Sequence, residues 1–438
     1  MLKEFLAVIR KRKLFTPTDK LLLAVSGGID SMVLLDLLVK GTCNIAVAHC
    51  NFTLRGTESN EDEKFVKDTC EKLKLGCFTK TFDTKKYATD NSISTQMAAR
   101  ELRYKWFEKL ISEHSFDYLI TAHHLNDSLE TSLFNFTKGT GIAGLRGILV
   151  KKGKLVRPLL DFSKSAVVQY AEENNIKWHE DVSNSSTVYK RNLIRKEVVP
   201  ILKKINPSLE SSFLLTSKRL RSLETLLEKE TRKFKDSFKY ERDHIFIDKV
   251  DFHDQEWVVL EKTLTEYGFN YDHLQNTLDI LNDDVLSGKQ FESDTHFLNI
   301  DRECVIISSK LENDHQILEL DEEKGGKLND HTITCKITVD VSYSKNPKIA
   351  KLDFDLLKFP LRLRYWEEGD KFQPLGMSGK KKLSDFMIDA KIPLNLKKRI
   401  MVLLSENKIV WVVGHRIDER FKISSNTNKA YSLAIAYD

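Results

Sequence analysis

None of the six cysteines (Cys43, Cys50, Cys70, Cys77, Cys304 and Cys335) belongs to a C-x-x-C pair, so neither a zinc ribbon nor a disulfide framework is expected. Nowhere do 18 apolar residues run together, which excludes a membrane-spanning helix. The opening Met1–Arg10 scatters Lys3, Glu4 and Arg10 among apolar residues and reads as a short amphipathic helix. A secretory signal places its charge before the apolar run and a small-residue cleavage site after it, so a reduced cytoplasm is the expected compartment. No G-x-x-x-x-G-K-[ST] occurs, which removes the Walker A loop and the chemistry built on it. Internal repeats and low-complexity tracts are missing as well.

A chain of 438 residues with 41% hydrophobic content is long and apolar enough for two or three separate cores. The net charge of +5 conceals an uneven distribution. Residues 138–235 carry 21 Lys and Arg against 10 Asp and Glu, and residues 331–438 carry 20 against 12. Between them, residues 236–330 carry 9 against 24. Two basic regions flanking an acidic one suit a protein that grips a polyanion at two places; solvated Lys-rich helices are the plainer alternative.

The most informative stretch is Leu21-Leu-Leu-Ala-Val-Ser26-Gly-Gly-Ile-Asp30-Ser31 and the apolar run that follows, Met32 to Val39. Leu21 to Val25 reads as a strand buried on both faces, and Met32 to Val39 as a helix packed on a sheet. Between them Gly27 and Gly28 are expected to supply positive φ and close backbone approach. Free N–H groups at a helix start, aided by the dipole, make a cup for phosphate. The turn is not a dinucleotide G-x-G-x-x-G. Ser26-Gly27-Gly28-Ile29-Asp30-Ser31 instead resembles the PP-loop, SGGxDS, of ATP pyrophosphatases, with an ordinary Gly-containing βα turn as the alternative. The resemblance implies cleavage of ATP between its α and β phosphates, the loop holding pyrophosphate and Asp30 helping to place Mg²⁺.

Further along, Asn44 to His49 reads as a second parallel strand ending in a polar loop, His49 to Ser59. Residues 60–75 have helical spacing and Cys77 to Phe82 is a third strand. Ser94 to Glu113 is a helix that puts Arg100, Arg103 and Tyr104 on one face. Tyr118 to Ala122 is the next strand. It runs into His123-His124, Asn126 as a helix cap, and an acidic face of Asp127, Glu130 and Thr131. Lys138 to Gly147 holds four glycines and reads as a mobile or ligand-hugging loop. Leu155 to Leu160 closes the sheet. Ser163 to Asn174 is helical, and Arg191 and Arg195 stand four apart, suited to paired phosphate or carboxylate contacts. Ser211 to Phe234 is a long amphipathic connector, and Glu312 to Asp330 the best linker candidate. Beyond it, Leu361 to Trp366 alternates like a strand. A basic loop, Glu368 to Lys382, lies beside Tyr365, Trp366 and Phe372, either RNA-stacking or core aromatics.

Taken together these landmarks resemble the tRNA(Ile)-lysidine synthetase family. Its motifs fall on residues 26–31; on His49, Asn51, Arg55 and Glu58-Ser59; on Ala99-Arg100 with Arg103-Tyr104; and on His123-His124, Asp127 and Glu130-Thr131. Arg157-Pro158-Leu159, then Asp181, Ser183 and Asn184, then Arg191, Asn192 and Arg195 continue the match, and Gly369 to Gly414 resembles its C-terminal domain. Asn126 departs from a usual Asp and Lys138 from a usual Arg. The resemblance implies an α/β fold: an open parallel sheet with helices on both faces (residues 1–210), a smaller mixed α/β middle domain (211–330), and an α+β C-terminal domain (331–438). It implies ATP-dependent ligation of free L-lysine to C2 of the wobble cytidine in the CAU anticodon of tRNA(Ile), through an adenylated cytidine. The expected site comprises Asp30, Asp127, Arg100, His123, Glu130, Arg191 and Arg195. Ser26, Gly27, Gly28, Ile29, Asp30, Ser31, His49 and Asn51 are expected to hold ATP, and Asp30 with Asp127 to hold Mg²⁺. No membrane partner is expected, and the oligomeric state stays open. A PP-loop tRNA thiolase and a non-catalytic tRNA-binding protein are the competing readings.

Overall fold

The computed structural model describes residues 1–54, 56–180, 190–241, 243–282, 288–310, 316–329 and 331–437. Arg55, Asp181, Ser183, Asn184, Tyr189, Glu312 and Asp330 lie outside the described residues. The chain divides into two compact units, Met1–Leu226 and Leu227–Asp438.

The first unit is built on strand β1 (Leu21–Ala24). Leu21 and Leu23 join the core on one face of the sheet while Leu22 joins that on the other, so all three are fully buried. An unbroken leucine run is what a strand covered on both sides requires. Helix α1 (Leu2–Arg12) precedes it, and α2 (Ile29–Lys40) follows, burying six apolar residues from Met32 to Leu38. The chain continues through β2 (Ile45–Asn51), α3 (Thr57–Leu73), β3 (Gly76–Thr81), α4 (Thr84–Asp90), α5 (Thr95–Glu113) and β4 (Tyr118–Ile120). Then come α6 (Leu125–Phe136), α7 (Ile142–Leu145), β5 (Lys151–Lys152), β6 (Leu155–Val156), α8 (Lys164–Glu173) and α9 (Lys190–Leu193). One turn of π-helix (Ile194–Val198), α10 (Val199–Ile205) and the long α11 (Leu209–Asp236) follow.

The sheet order is β3-β2-β1-β4-β6-β5, with every pairing parallel except the last. Leu155 to Leu160 therefore does not close the sheet, because β5 folds back along β6 as an antiparallel edge. The order reverses at β1: β2 lies to one side of it and β4 to the other. The carboxyl ends of β1 and β4 thus border a topological switch point, where an open α/β sheet leaves a crevice. The loop after β1 and the two histidines after β4 meet there for that reason.

The second unit contains antiparallel sheets. Five strands, β7 (Lys239–Glu241), β8 (His244–Asp248), β9 (Lys289–Glu292), β10 (His296–Ile300) and β11 (Cys304–Ser309), pack with helices on a core around Phe252, Leu264, Leu274 and Leu298. A five-stranded and a four-stranded sheet follow, sharing a core that includes Leu361, Trp411 and Tyr431. The linker expectation for Glu312 to Asp330 fails, because Leu318–Leu320 pairs with Leu361–Tyr365 and Gly326–Leu328 with His331–Thr338. Three-residue edge strands carry too little periodicity to stand out in a polar sequence. Phe372 is fully buried in the hydrophobic cluster with Leu383 and Met387, and Trp366 packs against that cluster, so these aromatics are core. Tyr365 packs on the neighbouring core and accepts a hydrogen bond from Asn329 through its hydroxyl.

Candidate active site

Between β1 and α2 the chain closes on itself through two serines. The Ser31 hydroxyl accepts from the Ser26 N–H (3.2 Å) and donates to the Gly28 carbonyl (2.8 Å), and the Ser26 hydroxyl accepts from the Gly28 N–H (3.3 Å). Of the two glycines, Gly27 alone takes positive φ, at 92°. Gly28, at φ −77°, is the cap residue of α2, which corrects the expectation of two left-handed glycines. The N–H groups of Ile29 and Asp30 then fall in the first helical turn, where the helix offers no acceptor. A second clamp reaches the loop from afar. The His179 N–H donates to the Gly27 carbonyl (3.0 Å), its ring Nδ1 bonds Asp62 (2.8 Å), and the ring stacks on Phe65 at 4.3 Å.

Helix α6 starts in the same crevice. His124, not Asn126, is its cap: the Asp127 carboxylate accepts from the His124 N–H at 3.0 Å. Asn126 instead bridges outward, its amide donating to Glu210 (2.9 Å) and its oxygen accepting from the Lys164 N–H (2.9 Å). The His124 ring is buried, with Nε2 3.7 Å from Asp30 Oδ2 and 3.5 Å from Asp127 Oδ2, and among the described residues its Nδ1 has no hydrogen-bond partner. Asp30 also pairs with Lys164, Nζ to Oδ1 at 2.6 Å.

Arg195 donates Nε to Glu130 Oε1 (2.7 Å) and Nη2 to both Glu130 Oε2 (2.9 Å) and Asp127 Oδ1 (3.1 Å). Arg191 donates to the Asp127 carbonyl (2.9 Å) and the Thr131 hydroxyl (2.7 Å). Arg195 belongs to the π-helical turn, a widened geometry that recurs at functional sites. Burial opposes the Arg195 charge, yet Glu130, Asp127 and Asp30 outweigh it and raise its pKa. Burial likewise opposes the Asp127 carboxylate, and His124, His123 and Arg191 overcome it and lower its pKa. His123, which bonds the Thr121 hydroxyl at 3.0 Å, is pushed down to about 4, chiefly by burial. It is neutral at pH 7.

The crevice thus gathers Asp30, Asp127, Glu130, Arg191 and Arg195 with the loop. Sequence reasoning missed Lys164 and put forward His123 where His124 makes the carboxylate contacts. Arg100 stacks on Tyr104, 5.0 Å from its ring centroid, and among the described residues has no hydrogen bond or ion pair to the Asp30–Asp127–Glu130 group. Arg103 lies over Phe52 instead, so the trio on α5 does not act on one target. His49 and Asn51 are buried: His49 Nδ1 meets the Val25 carbonyl (2.9 Å), while Asn51 bonds Asn60, Glu63 and the Thr53 N–H, each at 3.0 Å. The Gly-rich segment is packed rather than loose. Ser132 and Asn135 of α6 hold its Leu145 and Gly144 carbonyls, and a Cβ on Gly147 would lie 2.2 Å from the Ser128 hydroxyl.

Among the described residues no group of three His, Cys, Asp or Glu is placed to hold a metal alone, and no helix is long and apolar enough to cross a membrane. Asp30 and Asp127 both lie against His124 Nε2, and two neighbouring carboxylates are a donor set that suits Mg²⁺, an ion held by one or two carboxylates with phosphates completing its shell.

A phosphate cup at the switch point of a parallel sheet, flanked by carboxylates and arginines, defines a nucleotide-binding protein of the PP-loop class, and residues 2–202 match the PP-loop domain family. Residues 239–311 match the TilS substrate binding domain and residues 361–433 the TilS substrate C-terminal domain. The tRNA(Ile)-lysidine synthase of Parabacteroides distasonis is 37% identical over 432 residues, covering 96% of each chain. That of Clostridium perfringens is 31% identical over 465 residues, covering 99% of this chain and 98% of its own. The solved U34-tRNA thiolase NcsA from Methanococcus maripaludis is similar over 50% of this chain and 78% of its own, at 22% identity and a TM-score of 0.42. The chain belongs to the tRNA(Ile)-lysidine synthase family.

Proposed function

We propose that this enzyme joins free L-lysine to C2 of the wobble cytidine in the CAU anticodon of tRNA(Ile), with ATP split to AMP and pyrophosphate. The observation that carries the reading is the meeting of the Ser26–Ser31 cup with Asp30, Asp127 and the Arg195–Glu130 pair in one crevice.

The C2 oxygen of cytosine leaves poorly, so direct displacement by an amine is closed. Adenylation converts that oxygen into part of AMP, which leaves well. The loop N–H groups and the α2 dipole bind the phosphates, with Ser26, Gly27, Gly28, Ile29 and Ser31 forming the cup. Asp30 and Asp127 would hold Mg²⁺, which neutralises phosphate charge. His49 and Asn51 support the cup through the strand ends they tie. Arg191 and Arg195 offset charge developing on the α-phosphate, an electrostatic contribution worth about 3 kcal/mol for a well-aimed donor. His123 titrates at about 4 and Asp127 below its ordinary range, so neither is tuned as a base at pH 7. His123 accepts a hydrogen bond from the incoming lysine amine and orients it, while Glu130 holds Arg195 in place. The anticodon loop presents its cytidine already unstacked, which lowers the cost of exposing C2.

AMP release, measured with each amino acid in turn and with or without unmodified CAU tRNA, tests this. Release that needs both lysine and tRNA supports it; release without lysine dependence overturns it.

A further inference from the structure

The cup binds a tetraanion, yet its loop carries no lysine. The cation beside it comes from a distant helix. Lys164 is the first residue of α8, and its ammonium lies 2.6 Å from Asp30, 134 positions away in sequence. A helix start is the least favourable place for a cation, because the dipole there is positive. Surface ion pairs add little in return, typically 1 kcal/mol or less. Lys164 is nevertheless held firmly. Its backbone N–H bonds Asn126, and the Asn126 amide bonds Glu210, so the starts of α6, α8 and α11 are tied together. An Asp at position 126 could not donate to Glu210; the amide is what makes the bridge. An ammonium has three donors, and among the described residues Asp30 is the one acceptor within reach of it. The side chain is 38% exposed and Asp30 31%, so a ligand can reach both.

We propose that Lys164 is a catalytic residue of the adenylation step, donating to the phosphates and holding the pyrophosphate as it departs. This rests on the reading above. In that step the cytidine O2 forms a bond to the α-phosphorus as the bond to the bridging oxygen breaks. The electron pair moves onto that oxygen, and pyrophosphate gains a negative charge that the Lys164 ammonium meets while keeping its proton. The lysine that a Walker A loop carries within itself is here supplied by α8.

Full-length Lys164→Met, which keeps the aliphatic stem, and Lys164→Arg, which keeps the charge, test this. Two readouts serve: steady-state pyrophosphate release, and binding of pyrophosphate by calorimetry without tRNA or lysine. The Met variant is expected to lose about 100-fold in kcat and at least about tenfold in pyrophosphate affinity, with tRNA affinity unchanged. The Arg variant is expected to recover most of both. Unchanged pyrophosphate affinity in the Met variant overturns the proposal, including the case where kcat falls together with melting temperature, since that is a structural role. Should the Met variant not fold, an Arg variant with pyrophosphate affinity as low as that of Asp30→Ala overturns it equally. Wild-type protein that makes no lysidine contradicts the function proposed above, and the calorimetry still decides the role of Lys164.

Discussion

Gly27 shows how one residue sets the site. Its φ of 92° points the loop back over α2, while a Cβ there would meet neighbours no closer than 3.7 Å. Conformation, not space, demands glycine. Gly27→Ala is expected to cost about 1–2 kcal/mol in urea unfolding and to weaken ATP more than tRNA. His123 makes a second prediction. Its folded pKa of about 4 lies below the 6.5 of a free histidine, so the unfolded chain binds the extra proton first. Its contribution is fully present above pH 6.5 and is lost as pH falls toward 4. His123→Gln removes that dependence: the wild type should lose about 1–3 kcal/mol more than the variant across this window. Parallel curves would show that His123 is not buried neutral.

At the scale of elements, the π-helical turn presents Arg195 to Glu130, whose side chain is 3% exposed. Arg195→Leu leaves that carboxylate only Arg191, 3.6 Å away, and a loss of about 3 kcal/mol is expected in denaturant titration. Removing both partners in Arg195→Leu with Glu130→Leu should restore much of it. Arg191, 46% exposed, is held by a carbonyl and a hydroxyl and lies 3.6 Å from Glu130 Oε2, and Arg191→Leu should cost about 1 kcal/mol, less than the loss of Arg195. Legibility also divides at this scale. The β1–loop–α2 unit could be read from sequence because its signals are local: a leucine run, two glycines, then an apolar helix. The cap of α6 was misassigned because Asn126 is a better intrinsic cap than His124, and only the contacts to Glu210 and Lys164 reveal why it is used elsewhere. Lys164 was invisible because its partner lies 134 residues away, and nothing in the spacing of Ser163 to Asn174 marks it.

For the whole molecule, the uneven charge matters more than its sum. The C-terminal hairpin loop keeps Lys371, Lys380 and Lys382 exposed, whereas Lys381 pairs with Asp389. Replacing the three exposed lysines with alanine should weaken tRNA binding mainly at low salt, lowering the slope of log K against log salt by up to about 0.7–0.9 per lost phosphate contact. ATP affinity should not change. Equal loss at all salt concentrations would argue for a contact other than phosphate. In sequence the aromatics beside that loop read as either a base-stacking platform or core. Burial of Phe372 and packing of Trp366 assign them to the core, a distinction that alternation alone cannot make.

The chemistry proposed here requires that the wobble oxygen leave as part of AMP. Unmodified CAU tRNA carrying ¹⁸O at C2 of that cytidine, incubated with enzyme, ATP and lysine, puts the requirement to a direct test. Mass spectrometry should find the label in AMP and lysidine in the tRNA. Unlabelled AMP, with the oxygen retained in the tRNA or released as water, would contradict the account.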